Sequence, residues 1–404
     1  MHVGLYTPSW PPGESPNGIS TYVGIMRAEL LRLGHEVSIF SADCEPNLAE
    51  RNYRVDSGDT DRPIFRGLQR LIGRGWKSEY DFGPRIARAV TQVHARHPLD
   101  VFEMEESFGW CRHVAQSTSV PLVVKLHGPA FQAPTALRRK ALDEPVQVRV
   151  NAEGAGLRAA QMIVAPSRST MLGTVREYDL PLGAVTYVPN PVNELVNVPV
   201  WRSKSEWAEN LLFVGRFDHG KGGDAIIKIF GKLAQSRPRL RLTFVGPDEG
   251  VLAADGTVQK FADYVNAHLQ PASAARIHFL GTRPAREVQA LRLQCAVTLL
   301  ATRRESFGYV AAEAMMQGCP IAAFDVPGVN ELIEHGKTGL LAPLDDVNAL
   351  VGHINHLLDH PEEAVALGAN ARAAISIQCG AEKVAKQMLN VYRLAAEVPN
   401  AARS

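Results

Sequence analysis

The sequence has little from which disulfides, zinc sites or membrane spans are built. Its five cysteines are far apart in a chain of 404 residues, and none belongs to a CxxC pair or to a cluster with histidine. No stretch approaches the about 18 consecutive apolar residues of a membrane helix. The start, MHVGLYTPSWPPG, lacks the charged segment of a secretory signal. We therefore expect reduced thiols, no zinc and a cytoplasmic protein.

An excess of charge of one sign is also missing. The 43 Lys and Arg residues balance 42 Asp and Glu residues, so the charge of the whole chain gives no reason to expect nucleic acid as a partner. Apolar residues make up 46% of the chain, which is enough to bury the cores of about two or three domains. The composition is that of a globular protein in which any basic surface is local.

Two nucleotide-binding fingerprints are absent as well. The first strand and its turn, LYTPSWPPGESPNGIS, contain Gly13 and Gly18 in the manner of a ligand-binding turn, but they do not form GxGxxG. No acidic residue follows at the distance that a dinucleotide ribose requires. The loop VGRFDHGKGGD has Gly222 where a P-loop needs Ser or Thr. An NAD oxidoreductase is therefore the weakest interpretation of this chain.

What is present is an alternation of short apolar runs with longer amphipathic segments. The runs are rich in Val, Ile, Leu and Phe and predict strands at 2–7, 36–41, 100–104, 121–127, 161–166, 185–189, 210–216, 241–246, 276–281, 295–301, 319–324 and 338–343. This alternation is typical of α/β folds with buried, largely parallel sheets.

A polar, proline-rich segment near 190–208 separates the two series of runs and predicts a domain boundary. We therefore predict two doubly wound, Rossmann-like domains, at 1–195 and 208–375. A helical tail at 376–404 would follow and pack back on the first domain. A ligand would bind in the cleft between the domains, at the carboxyl ends of their strands.

The segment RRESFGYVAAEAMMQGCP carries two glutamates. Glu305 precedes a predicted helix, and Glu313 lies within it among residues that are apolar nearly all round, which favours a partly buried acid with a partner. Phe307-Gly308-Tyr309 would form the first turn, whose free N–H groups and dipole favour an anionic diphosphate. Two interpretations remain open. The acids address different parts of one extended ligand, or Glu305 complements the helix dipole and Glu313 is a solvated surface acid.

Two other loops carry polar residues at predicted strand ends. In VGRFDHGKGGDAIIKIF, Arg216 and Lys221 lie in a glycine-rich loop that opens a helix, which suits phosphate binding as well as it suits a solvated surface loop. In VVKLHGPAF, His127 ends a strand, where it is either structural or catalytic.

Two further segments concentrate charge of one sign. The acids of FEMEESFGW, Glu103, Glu105 and Glu106, end another predicted strand, and we interpret them as solvated. The segment 62–77 places Arg62, Arg66, Arg70 and Arg74 on one helical stripe with no acid between them. This stripe predicts either peripheral contact with an anionic membrane face or acceptor, or an ordinary solvated helix face.

Taken together, these residues resemble the retaining glycosyltransferases of the GT-B fold, and specifically family 4, the glycosyl transferases of group 1. In the second domain the resemblance rests on GRFDHGKG, FVGPDEG, IHFLGTRP and 303–343, with Glu305 and Glu313 as the family's E-x7-E pattern. The first domain matches less closely, through GISTYVGIMRAELLRLGHEVSIF, KLHGP and IVAPS. Two departures are Ala301-Thr302 in place of Pro-Ser, and Asn190-Pro191-Val192 in place of Pro-Asn-Gly.

The resemblance implies a donor site and a set of catalytic residues. The donor-binding residues would be Gly18, Arg216, Lys221, Thr282, Arg283, Glu305, Ser306, Phe307, Gly308, Tyr309 and Glu313. The catalytic residues would be His127, Arg216, Lys221 and Glu305. Within the donor site, the turn at Thr282-Arg283 would meet the base.

The individual roles follow from the same resemblance. Arg216 and Lys221 would hold the donor diphosphate and stabilise the departing nucleotide, an electrostatic role that needs no metal. Glu313 would accept hydrogen bonds from the ribose, and Glu305 would address the sugar and phosphates. His127 would contact the transferred sugar.

The implied reaction is retaining transfer of a sugar from a nucleotide-diphosphate sugar to a hydroxyl of a glycan or lipid-linked acceptor. It would serve polysaccharide or cell-surface glycan synthesis, in the cytoplasm and with the arginine stripe at the inner membrane face. No cofactor or metal is expected, because the DxD at Asp59-Thr60-Asp61 lies in a polar stretch without a preceding strand. The alternatives are a GT-B nucleotide-sugar epimerase and a noncatalytic nucleotide-sugar-binding protein.

Overall fold

The computed structural model describes residues 1–12, 17–55, 82–132, 143–193, 199–253 and 256–398. The chain divides into two compact units. The first comprises Met1–Pro191 and Ala381–Ser404, and the second comprises Val192–Gly380. Within the described ranges, no helix is both long and apolar enough to cross a membrane.

The first unit is built on a seven-stranded parallel sheet with the strand order β3-β2-β1-β4-β5-β6-β7. Its strands are β1 His2–Ser9, β2 Glu36–Asp43, β3 Asn52–Arg54, β4 Val101–Met104, β5 Leu122–Lys125, β6 Met162–Ala165 and β7 Val185–Tyr187. Its helices are α1 Gly18–Arg32, α2 Gly83–Arg96, α3 Cys111–Ser117, α4 Asp143–Ala159 and α5 Arg168–Glu177. Every residue of β4 and β5 is buried, including the charged side chains of Glu103 and Lys125.

The second unit is built on a six-stranded parallel sheet with the order β12-β9-β8-β13-β14-β15 and also has the antiparallel pair β10 and β11. Its strands are β8 Asn210–Val214, β9 Arg241–Val245, β10 Val251–Leu252, β11 Val258–Gln259, β12 Ile277–Gly281, β13 Val297–Leu300, β14 Ile321–Asp325 and β15 Leu340–Pro343. Its helices are α6 Gly223–Ser236, α7 Phe261–His268, α8 Pro271–Ala274, α9 Ala285–Arg292, α10 Tyr309–Met316, α11 Val347–Asp359 and α12 Pro361–Cys379.

The predicted strands are confirmed in both units, and the prediction of a parallel α/β fold is correct. Three short strands were not predicted: β3 has three residues, and β10 and β11 have two each. Segments of this length are too short to show an alternating pattern.

Each sheet has one position at which the order of the strands reverses, a topological switch point. In the first unit, β1 lies between β2 and β4, and in the second, β8 lies between β9 and β13. Where the connections that follow two adjacent parallel strands run to opposite sides of the sheet, a crevice opens at the carboxyl ends of those strands. In the second unit, the two loops that border this crevice are the ones that carry Lys221 and Glu305.

The last helix, α13 Ala381–Glu397, belongs to the first unit. Its Tyr392 hydroxyl donates to Glu103 Oε2 on β4 at 2.7 Å, and Glu382 pairs with Arg32 of α1 at 2.7 Å. The helix before it, α12, belongs to the second unit, so the segment that returns to the first unit begins at Ala381.

Candidate functional site

The loop between β8 and α6 is organised by an aspartate. Asp218 Oδ2 accepts a hydrogen bond from Arg216 Nε at 2.7 Å, and its Oδ1 accepts one from the Lys221 backbone N–H at 2.6 Å. Gly222, which precedes α6, has φ 75°, and a Cβ there would lie 1.9 Å from the Ala301 carbonyl oxygen. Only glycine fits this position, so the loop packs directly against the end of β13.

The turn between β13 and α10 meets that loop through an ion pair. Lys221 Nζ donates to Glu305 Oε1 at 2.5 Å, and the Glu305 side chain is 15% exposed. The two residues are 84 positions apart and come together because β8 and β13 are adjacent in the sheet. An ammonium has three donors, so the bond to Glu305 leaves Lys221 able to bind an anion as well.

The start of α10 differs from the prediction in one respect. The helix begins at Tyr309, and Gly308 precedes it in the left-handed region with φ 93° and ψ 57°. Phe307 and Gly308 therefore lie before the helix and not in its first turn. The N-cap residue Gly308 has no side chain with which to bond the first N–H groups of the helix.

Glu313, in the second turn of α10, is paired. Its Oε2 accepts from Arg292 Nη2 at 2.6 Å, where Arg292 is the last residue of α9 and 1% exposed. A buried guanidinium needs a carboxylate partner, so the interpretation of Glu313 as a solvated surface acid is wrong. The Glu313 side chain is 38% exposed, which leaves it accessible to a ligand.

The other predicted donor residues of the second unit lie at the same carboxyl edge. Thr282 and Arg283 follow β12 and are exposed. Arg283 Nε lies 3.6 Å from Glu287 Oε2. Ser306 is buried within the turn after β13. The Tyr309 ring packs edge-on against Phe307, and burial raises the pKa of Tyr309 well above its ordinary value.

In the first unit, His127 follows β5 and is held by its backbone. Glu106 accepts from the N–H of His127 at 3.0 Å and from the N–H of Gly128 at 2.7 Å. The His127 ring meets the Tyr22 ring edge-on at 5.0 Å. Burial, assisted by the charge of Lys125, lowers the pKa of His127 to about 3. His127 is therefore neutral near pH 7.

The acids at the end of β4 are buried, so their interpretation as solvated residues is wrong. Glu103, Glu105 and Glu106 are each 3% exposed or less. Burial raises the pKa of Glu103 to about 7, and burial with the charge of Glu105 raises that of Glu106 to about 8. Glu103 accepts from the hydroxyls of Tyr22 and Tyr392 at 3.2 and 2.7 Å. A sequence signal existed, since Glu103 lies inside a run predicted to be a buried strand.

Gly18 opens α1 and is exposed, and Asn17 caps the helix by accepting from the Ile19 N–H at 2.8 Å. Gly18 and His127 belong to the first unit, whereas the remaining predicted site residues belong to the second. The arginine stripe at 62–77 and the DxD at 59–61 lie outside the described residues. Among the residues that are described, no three His, Cys, Asp or Glu side chains are grouped as a metal site.

Two family models match the chain one after the other. Glycosyltransferase Family 4 matches residues 16–194, and Glycosyl transferases group 1 matches residues 201–374. The D-inositol 3-phosphate glycosyltransferase of Nocardioides sp. is 28% identical over 97% of this chain and 89% of that protein.

Two solved structures share the fold. The sucrose-phosphate synthase of Thermosynechococcus elongatus has a TM-score of 0.75 at 22% identity, over 97% of this chain and 98% of that one. HepE of Anabaena, solved in complex with UDP-glucose, has a TM-score of 0.66 at 18% identity, over 97% and 99% of the two chains.

Proposed function

Because the chain belongs to the GT-B glycosyltransferases of family 4, the glycosyl transferases of group 1, we propose that it is a retaining enzyme. It moves a sugar from a nucleotide-diphosphate sugar to an acceptor hydroxyl. The observation that carries the proposal is the contact between Lys221 and Glu305, which joins two loops at the switch point of the second sheet. Ligands of doubly wound folds bind at such points.

The donor diphosphate is assigned to the loop after β8 and the start of α10. Arg216 and Lys221 supply the cations, and the Asp218 carboxylate holds the Arg216 guanidinium and the Lys221 backbone N–H. Diphosphate oxygens form strong, charge-assisted hydrogen bonds with such groups. The start of α10, where the N-cap residue is a glycine, adds backbone N–H donors. The complex of HepE with UDP-glucose makes UDP-sugars the first donors to test.

The nucleotide ribose is assigned to Glu313. Its carboxylate is oriented by Arg292 through Oε2 and is 38% exposed, so it can still accept hydrogen bonds from two ribose hydroxyls. Thr282 and Arg283, at the end of β12, are assigned to the base. The donor would then extend along the carboxyl edge of the sheet.

In the proposed step, the bond between the anomeric carbon and the β-phosphate oxygen breaks, and the acceptor oxygen bonds to the same face of the sugar. The acceptor proton passes to the departing phosphate oxygen. Arg216 and Lys221 stabilise the negative charge that develops there, so the proposal requires no metal. His127, with its low pKa, is a weak base, and its role is to hydrogen-bond the transferred sugar in the neutral form.

The acceptor is proposed to be a hydroxyl of a glycan or of a lipid-linked or phosphorylated polyol. The Nocardioides relative is named for transfer to D-inositol 3-phosphate, which is therefore the first acceptor to test. Glycan and lipid-linked acceptors follow in the same assay.

The test has two stages. Thermal shift ranks UDP-, GDP- and ADP-sugars as ligands, and release of nucleoside diphosphate is then measured with and without each acceptor. We expect release that depends on the acceptor and a product whose anomeric configuration, read by NMR, matches the donor. Tight donor binding without release for any acceptor would indicate a noncatalytic binding protein. Conversion of the donor sugar without acceptor would indicate an epimerase.

A further inference from the structure

The turn after β13 carries an arginine to which the donor scheme above gives no role. Arg303 is 16% exposed, and its guanidinium makes a bidentate pair with Asp224, the second residue of α6. Nη1 donates to Oδ1 at 2.7 Å and Nη2 to Oδ2 at 3.0 Å. This fork geometry fixes orientation as well as distance.

The same residue holds the backbone of the glycine-rich loop. Nη1 of Arg303 also donates to the His219 carbonyl at 2.6 Å, and its backbone N–H donates to the Gly220 carbonyl at 3.0 Å. The Thr302 hydroxyl lies 3.3 Å from that Gly220 oxygen. The two carbonyls directly before Lys221 are thus both bound by Arg303: the His219 carbonyl by its side chain and the Gly220 carbonyl by its backbone N–H.

A third segment completes the arrangement. Nε of Arg303 donates to Asp345 Oδ1 at 2.8 Å, beyond the end of β15. Burial opposes the charge of Arg303, but its hydrogen bonds to Asp224 raise its pKa above the ordinary value, so the guanidinium stays charged. One side chain therefore joins the loop after β8, the start of α6 and the segment after β15.

We propose that Arg303 is a positioning residue for the loop between β8 and α6, to which the donor diphosphate is assigned. Its side chain holds the His219 carbonyl and Asp224, which lie on either side of Lys221, so that the Lys221 ammonium stays beside Glu305. Arg303 does not itself touch the donor. A loop with three glycines between 215 and 222 has much conformational freedom, and the bonds from the Arg303 side chain to His219 and Asp224 remove part of it before the ligand arrives. This inference rests on the proposed function and names a residue on which donor affinity depends.

The alternative is that Arg303 only stabilises the fold, and the chain contains a matched control for this. Arg237, at the opposite end of α6, donates to Asn355 Oδ1 at 2.7 Å and to Asp359 Oδ1 at 2.6 Å. Arg237→Ala also removes an arginine that fastens α6 to another element, but it does so away from the loop. A purely structural role predicts the same behaviour for the two variants.

Calorimetric titration of UDP, GDP and ADP into the full chain first identifies the nucleoside diphosphate that binds. That diphosphate and its monophosphate, written below as UDP and UMP, are then titrated into the full chain and its Arg303→Ala, Arg303→Lys and Arg237→Ala variants. Thermal midpoints are recorded for each variant. We expect Arg303→Ala to weaken UDP binding by at least about tenfold and UMP binding by less than about threefold, since the cations of this loop are proposed to act on the β-phosphate, which UMP lacks. Arg303→Lys should be intermediate because lysine lacks the fork. Arg237→Ala should lower the midpoint and leave both affinities within about twofold.

Three results would overturn the inference. UDP affinity in Arg303→Ala or Arg303→Lys that equals that of the unsubstituted chain would reduce Arg303 to a structural residue. Equal losses for UDP and UMP would mean that the site as a whole has been damaged. If the unsubstituted chain binds none of UDP, GDP and ADP, the proposed function fails, and the positioning role fails with it.

Discussion

Glu103 is a carboxylate inside a buried strand, and its environment gives it a pH-dependent effect on stability. Its pKa is 4.5 in an unperturbed chain and about 7 in the folded protein, where burial raises it. Between these values the folded state binds more protons than the unfolded state, so the free energy of unfolding falls as pH rises from 4.5 to 7. Above this range the full cost, about 3 kcal/mol, is in place.

Glu103→Gln removes this titration and keeps an oxygen for the hydroxyls of Tyr22 and Tyr392. We expect the unsubstituted protein to lose about 3 kcal/mol relative to the variant between pH 4.5 and pH 8. Urea unfolding at both pH values measures the difference. Glu206→Gln, at an exposed acid, is the control, and its free energy of unfolding should depend on pH as that of the unsubstituted chain does. The same pH dependence in Glu103→Gln would contradict the raised pKa of Glu103.

His127 carries a second prediction for a single residue. Because its pKa is lowered to about 3, it does not titrate between pH 5 and pH 9. His127→Ala should therefore lower kcat/KM for transfer by about ten- to hundredfold without changing the shape of the pH profile. The profile is measured with saturating acceptor. An acid limb near pH 6.5 that disappears in the variant would show that the charged form takes part.

The elements were predictable to a greater extent than the contacts between them. The strands could be predicted from apolar runs. The loop with Lys221 and the turn with Glu305 could be selected as candidate ligand-binding segments from their residue types and their positions at predicted strand ends. The bonds from Lys221 to Glu305 and from Arg292 to Glu313 were not, because they depend on which elements lie side by side. The sequence indicated that Glu313 needs a partner, but nothing local points to an arginine on another helix.

At the loop that opens α6, Gly222 carries a prediction. Its φ of 75° disfavours any other residue, and a Cβ would collide with the Ala301 carbonyl. Gly222→Ala should lower the free energy of unfolding by at least about 2 kcal/mol and weaken UDP binding by at least about tenfold. Gly352→Ala, in the open middle of α11, is the control and should stabilise the protein slightly. Equal UDP affinity in the two variants would contradict the loop's assignment.

At the scale of the whole molecule, α13 belongs to the first unit, whereas the proposed donor-binding residues Lys221 and Glu305 belong to the second. We therefore expect a substitution in α13 to change the free energy of unfolding without changing donor affinity. The Tyr392 hydroxyl bonds to Glu103 across 289 positions of sequence. Tyr392→Phe should cost about 1–3 kcal/mol of unfolding free energy, because Glu103 loses a donor. Tyr53→Phe, on β3, should change it by less than about 0.5 kcal/mol. UDP affinity, measured by titration, should stay within about twofold in both, and a large loss in Tyr392→Phe would contradict this expectation.

The central claim for the molecule is that the loops after β8 and β13 form a nucleotide-sugar donor site. It is tested most directly by calorimetric titration of UDP into the full chain and its Lys221→Ala and Lys232→Ala variants. Lys232 is an exposed lysine of the same helix that follows the loop. We predict that Lys221→Ala weakens binding by at least about tenfold, while Lys232→Ala binds as the unsubstituted chain does. Equal affinity in all three proteins would contradict the claim.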